Sequence, residues 1–250
     1  MAVQWTAHYA GDTALVIEFG SSIERQIVDQ VKALDGLIQS AVSAETIYGI
    51  TETVPTFRSL SIIYDSGIIH PDKLIEQLRA LESDGIEDST GPSAACHWQL
   101  PVLYGTEHGP DLTDVSRLTG LGSEAIIDLH VNCELVAYML GFLPGYAFLG
   151  DTPDALHLPR RTEPRLRVPA GSVAIAMQLT GIYPWDSPGG WHILGNCPVP
   201  MFDASTSPPA LLTAGDSVSF MRIDETEFQE LRSELVSSPV DRRRWQVSAD

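Results

Sequence analysis

Four arginines stand close together in an acidic chain. Arg160, Arg161, Arg165 and Arg167 fall within eight residues, whereas segment 168–221 has neither lysine nor arginine. A guanidinium binds a carboxylate through two parallel N–H groups, so this cluster predicts a site for an acidic ligand. The alternative is that these arginines pair with the protein's own carboxylates or with a partner chain.

The arginines lie inside a segment, 141–195, that is rich in glycine, proline and aromatic residues: GFLPGYAFLG, PRR, PRLRVPAGSVAIA, TGIYP and SPGGWHILG. It is too irregular for helices and too apolar for a disordered loop, so it predicts either the loops of a site or the corners of a barrel. The candidate substrate-binding residues are Pro144, Gly145, Arg160, Arg165, Gln178, Thr180, Gly181, Tyr183, Ser187, Gly189 and Gly190.

His130 is the candidate catalytic residue, because histidine serves as an acid or base near neutral pH. It falls on a mostly apolar helix face, where the alternative is a hydrogen-bonded histidine of the core. No metal site is expected, since Cys96, Cys133 and Cys197 are isolated and outside any CxxC spacing. The chain also lacks a P-loop, so it is not expected to hold ATP in that way.

The overall charge excludes several classes of partner. There are 15 basic and 33 acidic residues, which gives a formal net charge of −18. Such a charge repels nucleic acids and anionic membranes. No apolar run approaches the roughly 20 residues that cross a bilayer, and the start of the chain lacks the pattern of a signal peptide, so we expect a cytoplasmic protein.

The elements that must position these residues fall into two groups. Strands are predicted at 13–19, 47–54 and 59–64, with one helix capped by Ser21 and Glu24 and another starting near Pro71. Segment 84–95 has the composition of a linker. We therefore expect a ferredoxin-like α/β domain at 1–88, a β-barrel domain at 96–225 and a peripheral C-terminal helix and tail at 226–250.

The second group begins with a strand at 97–104 and two short helices, 111–119 and one capped by Ser123. Further strands are predicted at 173–177, 191–194, 199–202 and 217–223. Glycines and prolines separate these strands, which is typical of a closed or nearly closed barrel. The fold class is thus α+β.

Several motifs recur in the order of a known family. PTFRSL, YGTEHGPDL, GFLPGYAFLG, PRRTEPRLRVPAGSVAIA, TGIYP and SPGGWHILG resemble the subunit 1 family of allophanate-hydrolase-like proteins. That family includes one of the subunits of bacterial 5-oxoprolinase, histidine-kinase inhibitors of sporulation, and half of the carboxyltransferase domain of urea carboxylase. The resemblance extends to about Ile223 and implies a ferredoxin-like domain followed by a cyclophilin-like barrel.

The resemblance also implies a function. It indicates a subunit of a heteromeric, ATP-dependent 5-oxoprolinase that opens a lactam to glutamate together with a homologous subunit 2 and a further, lactam-utilisation subunit. ATP would then belong to the assembled complex. One alternative is half of a biotin-dependent urea or allophanate-type carboxyltransferase; others are a histidine-kinase inhibitor or an inactive diverged paralogue.

Besides Leu135, which stands where an aromatic residue is common, four positions depart from the family's usual pattern. Asp151 and Met177 replace glycines, Leu179 replaces a glutamine, and Asn196 stands in a segment that usually reads LIGRTP. We expect any difference in function from the relatives to originate at these positions.

Overall fold

The computed structural model describes residues 5–85, 96–237 and 241–247. The chain divides into two compact units, Met1–Ala94 and Ala95–Asp250. The predicted linker lies largely outside the described residues. Among the helices that are described, none is long and apolar enough to cross a bilayer.

The first unit is a four-stranded antiparallel sheet with two helices. Its elements are β1 (Thr6–Tyr9), β2 (Ala14–Glu18), α1 (Arg25–Ser43), β3 (Ile50–Pro55), β4 (Ser59–Tyr64) and α2 (Pro71–Gly85). The strand order is β1-β2-β4-β3. The order strand, helix, two strands, helix is confirmed from β2 onward, but β1 precedes it and occupies one edge of the sheet. The ferredoxin-like description of this unit stays a prediction.

Alternation along the central strands builds the core of this unit. Leu60, Ile62 and Tyr64 of β4 are buried on one face, as expected for a strand with one face against helices. The predicted capping box is wrong, because the N-cap of α1 is Glu24 without a side-chain cap bond, and Ser22 Oγ donates to its carboxylate instead.

The second unit is a barrel with helices around it. Its elements are β5 (His97–Tyr104), α3 (Leu112–Thr119), α4 (Ser123–Val131), β6 (Leu135–Leu140), β7 (Ala147–Gly150), β8 (Arg165–Val168), β9 (Ser172–Ala176), β10 (Leu179–Ile182), β11 (Ser187–Gly189), β12 (His192–Asn196), β13 (Ser217–Arg222), α5 (Glu225–Ser237) and β14 (Gln246–Val247). Short 3₁₀ turns occupy Asp154–Leu156 and Arg242–Trp245.

Seven of these strands close into a ring. The order β12-β9-β10-β7-β6-β13-β5 is completed by pairing between β12 and β5. Strands β8 and β11 form a separate two-stranded ribbon. The mixed α+β class and the barrel are therefore observed, and closure removes the unpaired edges that an open sheet would expose.

Three local expectations for this unit are wrong. Ser123 does not cap α4, because it is the first helical residue and the N-cap is Gly122, without a side-chain cap bond. Segment 199–202 is not a strand, and only an isolated bridge joins Phe202 to Ala210. The predicted peripheral tail is partly internal, because Trp245 lies in the barrel core and β14 pairs with β5. A tryptophan buries a large apolar area, which ties this part of the tail to the barrel.

Candidate functional site

Two of the clustered arginines bind one buried carboxylate. Asp111, only 1% exposed, accepts two parallel bonds of 2.7 Å from the Arg165 guanidinium and one of 2.6 Å from Arg161 Nη1. Its Oδ2 also accepts the Ile193 N–H at 2.7 Å. Asp111 stands at the N-cap of α3 but makes no side-chain cap bond there. Arg165 thus has its bidentate face occupied inside the protein.

Arg167 is also paired. Its Nε and Nη2 lie 2.8 Å and 2.6 Å from Asp186 Oδ2. The N–H of Ala170 and then the Arg167 guanidinium lower the pKa of Asp186 below its usual value. Internal pairing therefore accounts for three of the four arginines in the cluster.

Arg160 is the exception. Its side chain is exposed, and within the described part of the chain it has neither a hydrogen bond nor an ion pair. Its backbone is nevertheless fixed on both sides, since the Pro159 carbonyl accepts from His192 Nε2 at 3.0 Å and the Arg161 N–H donates to the Gly190 carbonyl at 2.8 Å. A guanidinium that has no partner among the described residues and stands on a hydrogen-bonded backbone is suited to binding an anion.

Five aromatic side chains form a cluster beside Arg160: Phe142, Tyr146, Phe148, Tyr183 and Trp191. The Tyr146 ring lies 4.8 Å from Phe148, 5.2 Å from Tyr183 and 6.1 Å from Trp191, mostly edge to face. Burial raises the pKa of both tyrosines, while the positive charge of Arg160 opposes that rise. The positive charge of Arg160 is therefore close enough to act on both phenols.

Phe142 marks the exposed side of the aromatic cluster. It is 63% exposed and has a φ of +68°, a left-handed conformation that a bulky side chain rarely adopts. Its ring meets Tyr146 at 5.6 Å, edge to face. An exposed aromatic held in strained backbone is the kind of feature that collects at binding sites.

Glycines allow the backbone to approach the phenols. A Cβ at Gly189 would lie 2.5 Å from the Tyr183 hydroxyl, and one at Gly181 would lie 2.6 Å from that of Tyr146. Any other residue at either position would displace a phenol. Arg160, Gly181, Tyr183, Gly189 and Gly190 are thus brought together at the aromatic cluster.

The other candidates lie around or apart from this group. The Pro144 carbonyl accepts from Trp185 Nε1, and Gly145, at a φ of +82°, packs against Phe202. Ser187 is buried in the β8–β11 ribbon, and Gln178 is half-buried in the turn between β9 and β10. None of these lies among the groups shown to contact Tyr146 or Tyr183.

His130 lies inside the barrel, in a chain of hydrogen bonds. The Tyr104 hydroxyl is 2.7 Å from Nδ1, and Nε2 is 2.9 Å from Thr180 Oγ1, which donates to the Ala174 carbonyl at 3.1 Å. This direction assigns the proton to Nε2, with Nδ1 accepting from Tyr104. Burial lowers the pKa of His130 to about 3.

The ring of His130 is also stacked on Phe220 at 4.7 Å. A neutral histidine with both nitrogens bonded and no exposed surface has the character of a core residue. The geometry favours the structural alternative for both His130 and Thr180, and the catalytic role of His130 stays a prediction.

A cavity of about 550 Å³ adjoins the site, within the usual range for small-molecule pockets. Its lining includes His108, Arg167, Tyr183, Asn196 and Arg232. Tyr183 thus belongs to both the cavity and the aromatic cluster. Of the sequence candidates, only this tyrosine lines the cavity.

His108 adds a polar group that sequence analysis did not single out. Its Nε2 is buried without a hydrogen-bond partner among the described residues, and it lies 3.9 Å from carboxylate oxygens of both Glu107 and Glu225. Its ring packs on Phe228 at 4.7 Å. Within the described ranges, no group of three or more His, Cys, Asp or Glu residues could hold a metal.

Comparison with known proteins decides the family. The model described as carboxyltransferase domain, subdomain C and D, matches residues 5–212. The chain belongs to this family. Membership is consistent with the two-unit organisation, because the match extends through both units.

Individual relatives agree with this family. The chain is 36% identical over 243 residues to a 5-oxoprolinase subunit of Bacillus subtilis, covering 94% of this chain and 99% of that protein. A crystal structure of TTHA0988 superimposes with a TM-score of 0.71 at 33% identity, covering 84% of this chain and 40% of that longer one. "Urea amidolyase" of Lachancea kluyveri is 28% identical, but the match covers 89% of this chain and only 13% of that protein.

The structure shows why glycine is usual at two of the four departing positions. Asp151 and Met177, which replace glycines, both have a positive φ, of +66° and +57°. Asp tolerates this conformation better than most residues, and the Tyr138 hydroxyl donates to the Asp151 carboxylate. Leu179 is buried in β10, and Asn196 donates from Nδ2 to the Ala170 carbonyl at the cavity.

Asp111, Tyr146, Phe142 and His108 were missed as individual residues. Asp111 and His108 both stand in YGTEHGPDL, a motif noted only as part of a resemblance. A lone acid following a glycine and a proline, in a chain with few basic residues, was the available signal for the Asp111 pairing. The strain at Phe142 has no counterpart in composition or spacing.

Proposed function

We propose that this chain is a subunit of a heteromeric, ATP-dependent 5-oxoprolinase that opens 5-oxoproline to glutamate. The supporting observation is its 36% identity to the Bacillus subtilis 5-oxoprolinase subunit over nearly the whole of both chains. A match of that extent includes both units, so the proposal concerns the entire chain and not one shared domain. A cytoplasmic location belongs to the same proposal.

The chemistry explains why several subunits are needed. Ring opening adds one water across the lactam C–N bond, and a lactam carbonyl is a poor electrophile. Coupling to ATP hydrolysis supplies the driving force, for example by transferring the terminal phosphoryl group to the lactam oxygen with release of ADP. Water then adds to the activated carbon and the ring C–N bond breaks to release the amine. A second water hydrolyses the resulting acyl phosphate to glutamate and phosphate. The site must therefore position the attacking water and exclude bulk water, which would hydrolyse the activated intermediates unproductively.

This chain supports one wall of such a site. Of the described histidines, His130 is buried and neutral, and the clustered arginines other than Arg160 are occupied by Asp111 and Asp186. A triphosphate needs several free cationic or N–H donors, and we propose that the partner subunits supply them. The nucleotide is therefore assigned to the assembled complex.

The missing groups would come from partners. A homologous subunit 2, with its own related barrel, would complete the site, and a lactam-utilisation subunit would join this pair. Within this chain we keep the proposed domains as 1–88, 96–225 and 226–250.

The carboxyltransferase alternative has weaker support. The match to "Urea amidolyase" is 28% identical and covers 13% of that protein. A urea-type reaction would also need a biotin carrier and a biotin carboxylase from other chains. The histidine-kinase inhibitor and inactive-paralogue alternatives become outcomes of the experiment below.

The experiment is reconstitution. This chain, the lactam-utilisation subunit and the subunit 2 homologue are purified separately and mixed, and glutamate and ADP are measured with 5-oxoproline and ATP. We expect both products in equal amounts from the full set and neither from this chain alone. Carboxylation of urea with a biotin carboxylase, with 5-oxoproline left intact, would favour the alternative; inhibition of a purified histidine kinase would favour the regulatory one.

A further inference from the structure

The segment 159–161 carries a guanidinium without a partner among the described residues, and its backbone binds Gly190, next to the glycine that lies against the Tyr183 hydroxyl. We propose that Arg160 and the hydroxyl groups of Tyr146 and Tyr183 form a subsite for the carboxylate of a small cyclic substrate. The identity of that substrate as 5-oxoproline rests on the proposed function. The chemistry of the subsite, a carboxylate beside an aromatic wall, stands on the geometry of this chain.

The first argument is elimination among the arginines. Asp111 occupies Arg161 and Arg165, and Asp186 occupies Arg167. In a chain of net charge −18, an exposed arginine has many carboxylates available for pairing. Arg160 has none among the described residues, although it lies next to a buried ion pair. Its charge is held available to an incoming anion.

The second argument is rigidity. The Asp111 pairs fix Arg161 and Arg165 on either side of the short segment 162–164, and His192 and Gly190 bind the backbone next to Arg160. The Arg160 side chain is therefore mobile only about its own torsions. Holding the backbone before binding reduces the entropy that a ligand must immobilise.

The third argument is the pair of hydroxyls. Neither the Tyr146 nor the Tyr183 hydroxyl has a hydrogen bond within the described part of the chain. Their raised pKa values keep both phenols protonated at neutral pH, so each is a hydrogen-bond donor. The tyrosines are 1% and 2% exposed, and the backbone of Gly181 and Gly189 lies against their hydroxyls without a side chain at these contacts. A guanidinium and two O–H donors match the acceptors of one carboxylate.

The fourth argument is that polar atoms next to this segment lack partners. Arg161 Nε and His192 Nδ1 are buried and have no hydrogen-bond partner among the described residues. Because His192 Nε2 donates to the Pro159 carbonyl, Nδ1 is left as an acceptor. A buried polar atom without a partner is costly. Such atoms are common where a ligand, or water that a ligand replaces, completes the bonding.

The aromatic wall selects the rest of the ligand. Phe142 exposes its ring at the edge of the aromatic cluster, next to Tyr146 and Tyr183. A five-membered lactam has flat, weakly polar faces that pack well on such rings. The subsite thus favours a small ring with one carboxylate over an open-chain diacid or a neutral lactam.

The test uses the full chain and two ligands that differ by one carboxylate. Binding of 5-oxoproline and of 2-pyrrolidinone is followed by NMR through the Trp191 indole N–H and the Gly189 and Gly190 amides. We expect Arg160→Gln to weaken 5-oxoproline binding about tenfold to a hundredfold, as for loss of a charged hydrogen bond. We expect Tyr183→Phe to weaken it less, and 2-pyrrolidinone to bind poorly to every variant.

The control variant is Arg117→Gln, which removes an exposed arginine paired with Asp114 on α3. Its affinity should match wild type within about twofold. Equal affinity of Arg160→Gln and wild type, equal binding of the two ligands, or no binding of 5-oxoproline by wild type would each overturn the subsite.

The reconstituted complex separates this failure from failure of the proposed function, because 5-oxoproline turnover with an unchanged KM in Arg160→Gln would overturn only the subsite. Arg160-dependent binding without turnover would overturn only the function.

Discussion

The inside of the barrel and the loop surface around Arg160 use similar residues in opposite ways. Inside, Tyr104, His130 and Thr180 form a hydrogen-bonded chain in which each donor has an acceptor. At the loops, the exposed Arg160 and the hydroxyls of the buried Tyr146 and Tyr183 have no such partners among the described residues. The contrast indicates that the hydrogen-bonded polar groups in the core specify the fold. The groups without partners beside the loops are those of the proposed ligand subsite.

Asp111 gives the largest expected effect, because it joins the fold to the loop surface. Asp111→Asn removes a buried charge and leaves Arg161 and Arg165 without their partner. We expect a loss of about 3 kcal/mol in the free energy of unfolding. Urea unfolding followed by tryptophan fluorescence suits this measurement, since four of the five tryptophans follow residue 95.

The matched control is Asp114→Asn on the same helix, which breaks an exposed pair with Arg117. It should change the same free energy by less than about 0.5 kcal/mol. If both variants lose equally little, Asp111 does not anchor the arginine segment and the rigidity argued for Arg160 is lost.

Leu179→Gln tests a departure from the family pattern on a barrel strand. Leu179 is 5% exposed in β10, so glutamine there would bury a carboxamide and cost about 2 kcal/mol of stability. The volume-conserving Leu179→Met should cost less than about 1.5 kcal/mol. Turnover by the folded, reconstituted complex should stay the same. If KM changes in Leu179→Gln but not in Leu179→Met, Leu179 contributes to ligand binding and not only to the packing of the barrel.

Burial of neutral His130 in the barrel core makes the free energy of unfolding dependent on pH. Its pKa is lowered from 6.5 to about 3 in the folded protein. Between these values the unfolded chain binds a proton that the folded protein does not, so stability falls as the pH falls below about 6.5. We expect His130→Gln to remove about 1.4 kcal/mol per pH unit from the slope between pH 6 and pH 4.

Wild type, His130→Gln and the exposed control His70→Gln are compared by urea unfolding at each pH. His70→Gln controls for the removal of an exposed imidazole. An unchanged slope in His130→Gln contradicts the buried, neutral assignment. Stable folding together with loss of turnover in the reconstituted complex would restore the catalytic role.

Sequence patterns predicted the elements well where one period dominates. Leu60, Ile62 and Tyr64 alternate, and β4 has the predicted bounds, 59–64. Strand β1 was missed because its four residues, TAHY, are mostly exposed and too few to give a clear period. Trp245 was missed because a core contact made by one residue after a polar segment leaves no periodic signal.

The composition of the site could be predicted from the sequence, but the pairing of its arginines with carboxylates could not. The arginine cluster and the glycines next to Tyr183 are visible in the sequence. Which arginine stays free depends on Asp111, about 50 residues away, and on the fold that brings them together. Backbone strain at Phe142 is likewise set by tertiary contacts. Spacing alone therefore could not separate Arg160 from Arg165.

Substitution of Met177 gives the smallest expected change in the free energy of unfolding. It tests whether backbone strain in the turn at Met177 is linked to function. At a φ of +57°, with a side chain 55% exposed, Met177 stays in the turn between β9 and β10 with its N–H bonded to the Leu158 carbonyl. Met177→Gly relieves about 1 kcal/mol of left-handed strain, partly offset by the greater freedom of glycine in the unfolded chain. We expect a net gain of about 0.5 kcal/mol in urea unfolding. Met177→Ala keeps the Cβ and should gain nothing, so equal stabilisation by both would contradict strain as the cause. If Met177→Gly also leaves KM for 5-oxoproline unchanged in the reconstituted complex, this strain belongs to the turn, and Phe142 remains the strained residue associated with the ligand.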